Sequence, residues 1–305
     1  MKPIYPIKIS HDIIKDMSWV NNPEYAKYIL HISNVCKTFP SLLIAYSADT
    51  DAEKFTNLIS EDIIKLGINV FKPEYPVPLS ALSYALTSRN IPLGIYIEND
   101  SSEVNMTFIS THGGLFDEQD LLTNYCPKSN KTGVIGNTDL LSSYVNNLKG
   151  FVDIFIEKGF CFSNFVCPFA ELEQRLRDCS EFSLLFEKNP NGYKAIISKN
   201  GSKLKLYKSD SEIPTEEIAQ VLCKYMKNER LCTGSILCPT ESKNKFSEFG
   251  DLQGINGNCS DVCYNAAFSD LFLGWWNDGL ITLQGSSCMG DGILAAIYFV
   301  EALRS

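Results

Sequence analysis

Hydrophobic residues recur along this chain in two periods. Tyr25, Tyr28, Ile29 and Ile32 fall at helical spacing and predict a helix over Pro23–Lys37, with Asn22 as cap and Pro23 at the first helical position. Ser41–Tyr46 (SLLIAY) reads as a short buried strand. Phe55, Leu58, Ile59, Ile63 and Leu66 share one face of a helix over Asp49–Leu66, which Gly67 ends. Ile68–Lys72 is the next strand. Three prolines (Pro73, Pro76, Pro78) interrupt the pattern, Ser80–Ser88 resumes as a helix, and Leu93–Ile97 is a third buried strand. The order β-α-β-α-β predicts an α/β layout on a mostly parallel sheet.

Beyond it, Phe108–Ser110 reads as an edge strand and 117–138 as an irregular connection. Helices are predicted over Asp139–Phe151, Pro168–Asp178, Ile213–Lys227 and Asp291–Leu303, with a short one over Lys243–Phe249. Strands are predicted over Phe182–Phe186, Gly234–Cys238 and Gly279–Gln284, and Cys263–Leu273 is mixed. Ala195–Ser198 and Lys203–Tyr207 pair as a hairpin across Asn200-Gly201.

Composition narrows the function classes. In 305 residues, 45% are hydrophobic and 21% charged, as in a well-cored globular protein. A net charge of −9 argues against a nucleic-acid or anionic-membrane partner. The basic run Lys199–Lys208 reads as a solvated hairpin. No secretory signal is legible in Met1–Ser10, and no apolar run has the length of a membrane span, so a cytoplasmic protein is expected. The 11 cysteines are odd in number and irregular in spacing, which argues against a disulfide framework. Cys259/Cys263 and Cys232/Cys238 are not CxxC pairs, and only His11, His31 and His112 could supplement them, so zinc is not expected.

Candidate chemistry centres on the loop after the third strand, where Leu93–Ile97 gives way to Glu98-Asn99-Asp100-Ser101-Ser102-Glu103. A buried strand ending in a polar loop is where an α/β domain presents a ligand or reacting group. Five stretches carry a resemblance to a known family. Leu42–Phe71 looks like a strand, "DTR" loop and long helix; Tyr75–Leu86 like a "PTP" turn and helix; Gly94–Glu103 like the strand into a "TASHNP" serine loop. Phe182–Leu204 looks like a "FDGDGDR" metal loop and hairpin, and Leu273–Leu303 like a "GGExSGH" loop, strand and closing "DG" helix. Together they resemble the α-D-phosphohexomutase superfamily of phosphoglucomutases, phosphomannomutases and phosphoglucosamine mutases.

The resemblance implies three consecutive α/β/α domains: 1–135 with the serine loop, a shortened second domain at 136–228 with the metal loop, and a third at 229–305 with the sugar loop. The family's fourth, phosphate-gripping domain is expected to be absent. In the family, a phosphoserine donates its phosphoryl group to the sugar, and a divalent cation is held by three Asp. Here the phosphoserine position falls on Asp100, followed by Ser101 and Ser102. The metal loop carries Glu187, Asn189 and Asn191, with Lys188 and Pro190 between them. The sugar loop reads Trp275, Trp276, Asn277, Asp278, with Trp276 for the family's Glu and Asp278 for its Ser. The N-terminal Arg motif has no equivalent in Met1–Asn22.

Phosphoryl transfer rests on positioning and charge neutralisation, so these departures imply a scaffold without mutase activity. No cofactor is expected, or Mg²⁺ if any. The implied role is binding or regulation in hexose-phosphate metabolism, with a hexose phosphate or an active paralogous mutase as partner. The alternative is an active mutase using Ser101, Ser102 or Asp100 as phosphoryl carrier. A third reading is an unrelated α/β protein.

Overall fold

A computed structural model describes residues 3–16, 19–117, 119, 131–152 and 162–303, which fall into two compact units, Met1–Leu140 and Leu141–Ser305.

Unit one is built on a six-stranded sheet. In chain order its elements are β1 (Ile7–Ser10), α1 (His11–Lys15), α2 (Ala26–Val35), β2 (Ser41–Tyr46), α3 (Ala52–Ile64), β3 (Asn69–Lys72), α4 (Leu79–Arg89), β4 (Leu93–Asn99), β5 (Glu103–Ser110) and β6 (Ile135–Asn137). The spatial order is β1-β5-β4-β2-β3-β6. Strands β4, β2, β3 and β6 run parallel, and β5 is antiparallel to both its neighbours, β4 and β1. Every residue of β2 is buried, as expected of a parallel strand covered on both faces. Helix α3 lays Phe55, Ile59 and Ile63 against the sheet. Its Asp62 is buried as well, because the indole of Trp19 donates to Asp62 Oδ2 at 2.6 Å and the Lys65 ammonium reaches Oδ1 at 2.7 Å. Gly94 lets α4 close on β4: a Cβ there would lie 2.5 Å from a Leu86 methyl.

Unit two contains two four-stranded sheets. Strands β7 (Asn164–Val166), β8 (Lys194–Ile197), β9 (Leu204–Lys208) and β10 (Ser211–Ile213) are ordered β10-β9-β8-β7. Strands β11 (Ser235–Pro239), β12 (Asp251–Ile255), β13 (Leu271–Trp275) and β14 (Ile281–Leu283) are ordered β12-β11-β13-β14, with only β14 antiparallel to its neighbour. The helices are α5 (Leu141–Lys149), α6 (Ala170–Arg177), α7 (Ser183–Phe186), α8 (Thr215–Asn228), α9 (Cys259–Ala266) and α10 (Gly292–Ala302). All of Gly292–Glu301 is buried, so α10 is a core helix, hydrophobic on every side. The two sheets are tied by Leu204 N–H to Gly279 O at 2.9 Å and Gly292 N–H to Gly201 O at 2.9 Å.

Several elements differ from the sequence reading. Phe182–Phe186 is not a strand but a 3₁₀ turn, Ser180–Phe182, running into α7. Five apolar-rich residues fit either state, and here Phe182 and Leu185 turn inward at helical spacing. The edge strand expected at Phe108–Ser110 is the end of the longer β5, whose first half alternates polar Glu103 and Asn105 with buried Val104 and Met106. The helix expected at Lys243–Phe249 is a 3₁₀ turn over Thr240–Phe246. Cys263–Leu273 resolves into α9 and β13, while β1, α1, β6, β7, β10 and β12 are additional. Part of the connection expected at 117–138 lies outside the described residues. No helix among the described residues is long and apolar enough to cross a membrane.

Four phenols sit in these cores. Burial is the first cause that raises the acid constants of Tyr46, Tyr96, Tyr225 and Tyr298 above the ordinary tyrosine range. In the unfolded chain they ionise near pH ~10, while in the folded chain they hold their protons higher. Their stabilising contribution is thus complete below about pH 10 and is lost as pH rises towards the folded values. The thermal midpoint is expected to fall between about pH 9 and pH 11, and less steeply in Tyr298→Phe; an equal slope in that variant would contradict the assignment.

Candidate functional site

The loop singled out in the sequence joins β4 to β5 as a tight hairpin. Asn99 is in register with Val104, and Asp100 N–H donates to Glu103 O at 2.9 Å, leaving only Ser101 and Ser102 to turn the chain. Asp100 Oδ1 accepts the Ser101 N–H at 2.7 Å, so the carboxylate folds back on its own turn. Asp100, Ser101 and Ser102 are all exposed.

Packing brings other residues to this loop that the sequence reading missed. Ser10 caps α1, and the next residue, His11, donates its backbone N–H to Ser102 O at 3.2 Å. The His11 ring stacks on Phe55 at 4.3 Å, and its Nε2 lies 2.7 Å from Asn99 Oδ1. Asn99 Nδ2 donates to Thr50 O at 2.6 Å, which leaves Oδ1 as the acceptor and makes His11 Nε2 the donor. The loop after β2 meets the end of β4 at a topological switch point, where sheet order reverses. Its charges are Asp49, Asp51, Glu98, Asp100 and Glu103; Ser47 Oγ donates to Asp49 Oδ2 at 2.6 Å, and Lys8 lies 3.7 Å from Glu103. The Tyr96 phenol beneath it is held well above its ordinary range by burial, then by the Glu98 and Asp49 charges. These carboxylates would repel a phosphorylated sugar unless a cation intervened.

Glu187, Asn189 and Asn191 lie on the loop between α7 and β8. Asn189 Oδ1 accepts the Asn191 N–H at 3.0 Å, and the Gly192 N–H closes on Asn189 O at 2.8 Å: the side chain is spent on an Asx turn. The Lys208 ammonium donates to Asn191 O at 2.7 Å, and Glu187 is exposed. Mg²⁺ needs several hard anionic oxygens in tight geometry. One exposed carboxylate, an engaged amide and a neighbouring ammonium do not fit it. Among the described residues, no group of three His, Cys, Asp or Glu side chains is placed to hold a metal ion.

The loop after β13 splits the two tryptophans of the sugar-loop stretch. Trp275 is fully buried, its ring 5.5 Å from Phe246, because it is the last residue of a central strand and faces the core. Of the two adjacent tryptophans, only Trp276 is partly exposed. Trp276–Gly279 form a turn, with Gly279 at φ +95° under Leu204 O. Asn277 is exposed and its carbonyl accepts from the Thr215 hydroxyl at 3.3 Å. Asp278 Oδ2 pairs with Lys203 Nζ at 2.6 Å and Oδ1 accepts the Leu280 N–H at 3.2 Å. The Asn200-Gly201 hairpin gave the one sequence signal for Lys203, since it fixes where that side chain emerges.

No protein-family profile matches the sequence, and no curated protein matches it. Solved structures do match in fold. A protein described as a phosphomannomutase from Thermus thermophilus superposes with TM-score 0.71 at 13% identity, over 90% of this chain and 75% of that one. A phosphoglucomutase/phosphomannomutase family protein from Burkholderia thailandensis gives 0.72 at 11%, over 99% and 76%. The open form of parafusin, a phosphoglucomutase from Paramecium, gives 0.64 at 13%, over 100% and 71%. The chain thus has the phosphohexomutase fold.

Proposed function

We propose that this chain keeps the phosphohexomutase fold without its phosphoryl-transfer chemistry, and acts by binding or regulation in hexose-phosphate metabolism. A cytoplasmic setting is part of this reading. The observation that supports it is the β4–β5 turn: Asp100, which the resemblance sets at the phosphoserine position, has its carboxylate turned onto the Ser101 N–H at 2.7 Å. A carboxylate offers one charge and two oxygens against nearly two charges and three for a phosphorylated side chain, so it resembles that state only in part. The spent Asn189 amide and the buried Trp275 support the same reading at the metal and sugar loops. The partner is a hexose phosphate or an active paralogous mutase.

The exposed hydroxyls of Ser101 and Ser102 favour one second reading, an active mutase that carries a phosphoryl group on this turn. Incubation with a hexose bisphosphate and Mg²⁺, followed by intact-mass measurement, separates the two. An unchanged mass is expected. A gain of one phosphoryl group mapped to Asp100, Ser101 or Ser102 would sink the proposal. A thermal-shift series with hexose phosphates then divides binding from protein-only regulation, since a ligand held by the folded state raises the midpoint.

A further inference from the structure

The strands β11, β12 and β13 start side by side, with Ser235 in register with both Asp251 and Leu271. The segments that feed them therefore gather at one end of the sheet. Their backbones touch: Ser235 N–H donates to Asp270 O at 2.7 Å. A Cβ on Gly234 would lie 2.4 Å from Asp270 O, and one on Gly250 3.0 Å from Gly234 O. Leu231 and Phe268, 79% and 63% exposed, are the two most exposed large hydrophobic residues among those described, and both lie here.

Leu231 is held there against its own backbone preference. It has φ +52°, the left-handed conformation in which glycine commonly ends a helix. The preceding Arg230 is fixed on three sides: Nε donates to Tyr225 Oη at 2.9 Å, and Nη2 to Glu301 Oε2 at 2.8 Å and Phe151 O at 2.6 Å. The Cys232 N–H closes on Met226 O at 3.0 Å. Leu231 stands at the lip of a groove of about 490 Å³, lined also by Lys227, Phe249, Gly250 and Asp251. An apolar side chain held out from a fixed backbone gives up little freedom when a partner covers it.

The charges around these apolar groups are mostly of one sign. Glu229, Glu248, Asp251 and Asp270 are exposed carboxylates. Against them stand two exposed ammoniums: Lys227, which donates to Glu248 O, and Lys224, one turn further back on α8. The Arg230 guanidinium is already neutralised by the buried Glu301 carboxylate. A second copy of this surface would set carboxylates against carboxylates, and an anionic membrane or nucleic acid would be repelled.

We propose that this end of the sheet docks a basic amphipathic segment of another protein. Its apolar side chains cover Leu231 and enter the groove, and its Lys or Arg side chains meet Glu229, Glu248, Asp251 and Asp270. Apolar anchors inside a polar rim are the arrangement of a protein interface, whereas a small ligand in the groove would leave Leu231 in water.

Fluorescence anisotropy with a labelled peptide of leucine and lysine tests it, about 18 residues long with its leucines on one helical face. The same peptide with glutamate for lysine is the control. The lysine peptide is expected to bind the full chain with a micromolar dissociation constant, more weakly as salt is raised, and the glutamate peptide not to bind. Leu231→Gly should raise that constant at least about tenfold with a thermal midpoint no lower than the parent's, since glycine suits this backbone. Glu248→Lys and Asp251→Lys should each raise it several-fold. Glu61→Lys, exposed on α3 in unit one, should leave it unchanged, which separates this surface from the general pull of an acidic protein. A lysine peptide that does not bind overturns the proposal. So does binding indifferent to Leu231→Gly, or weakened as much by Glu61→Lys as by Asp251→Lys. A concentration-dependent doubling of mass that Leu231→Gly abolishes would give the surface to a second copy and overturn it too.

Discussion

Asp291→Ala is expected to cost unit two about 3 kcal/mol or more, enough to leave it partly unfolded near body temperature. Asp291 is 2% exposed and caps α10, accepting from Ile293 N–H at 3.2 Å and Leu294 N–H at 3.0 Å. The same carboxyl group takes the Tyr144 hydroxyl, at 2.8 Å to Oδ1 and 3.0 Å to Oδ2. Alanine removes a cap worth about 1 kcal/mol and takes this acceptor from a buried phenol, at roughly 1–3 kcal/mol. Asp291→Asn keeps a capping oxygen and should lose much less, about 1 kcal/mol. Urea unfolding followed by near- and far-ultraviolet circular dichroism measures both. Equal losses for Ala and Asn would mean that charge, not capping, dominates.

The second large effect belongs to unit one. Trp19→Ala is expected to lose about 3–5 kcal/mol from the cavity alone, since Trp19 is fully buried. The indole also donates to the buried Asp62, alongside the Lys65 ammonium. Trp19→Phe refills most of the volume but not the hydrogen bond, so it should lose about 1–3 kcal/mol. Asp62→Asn in the Trp19→Phe background tests the coupling. If the polar contact matters, the pair will be less destabilised than the sum of the singles. Strict additivity would assign the whole effect to packing.

Trp19 shows where sequence reading stops. The core of unit one was legible because β2, α3, α4 and β4 are long, strongly periodic runs whose partners follow in order. The pairing of Trp19 with Asp62 crosses 43 positions and leaves no local pattern. The four-residue β1 was passed over for the same reason, and with it the partner that makes Glu103 and Asn105 strand residues. From the sequence alone, Glu98–Glu103 reads as a six-residue polar loop. It is a two-residue hairpin with His11 beside it. In unit two the Asn200-Gly201 hairpin and α10 carried strong local signals. Phe182–Phe186 did not, because a short apolar run leaves helix and strand open until neighbours decide. Of the candidate site, the position after β4 was legible; the burial of Trp275 and the Lys203–Asp278 pair depend on tertiary packing.

The contacts of α10 also set a timetable. Tyr144 reaches Asp291 across 147 positions, Arg230 reaches Glu301 across 71, and Tyr225 reaches Glu301 across 76. The sheet pairings of unit one are complete by Asn137. On the ribosome, unit one can thus close while unit two is still emerging. The contacts from Tyr144 and Tyr225 to α10 then form only once α10 has emerged. Closing such wide loops is slow, and it leaves apolar α8 surface uncovered meanwhile. Unit two is therefore the part of this chain expected to close last as it is made.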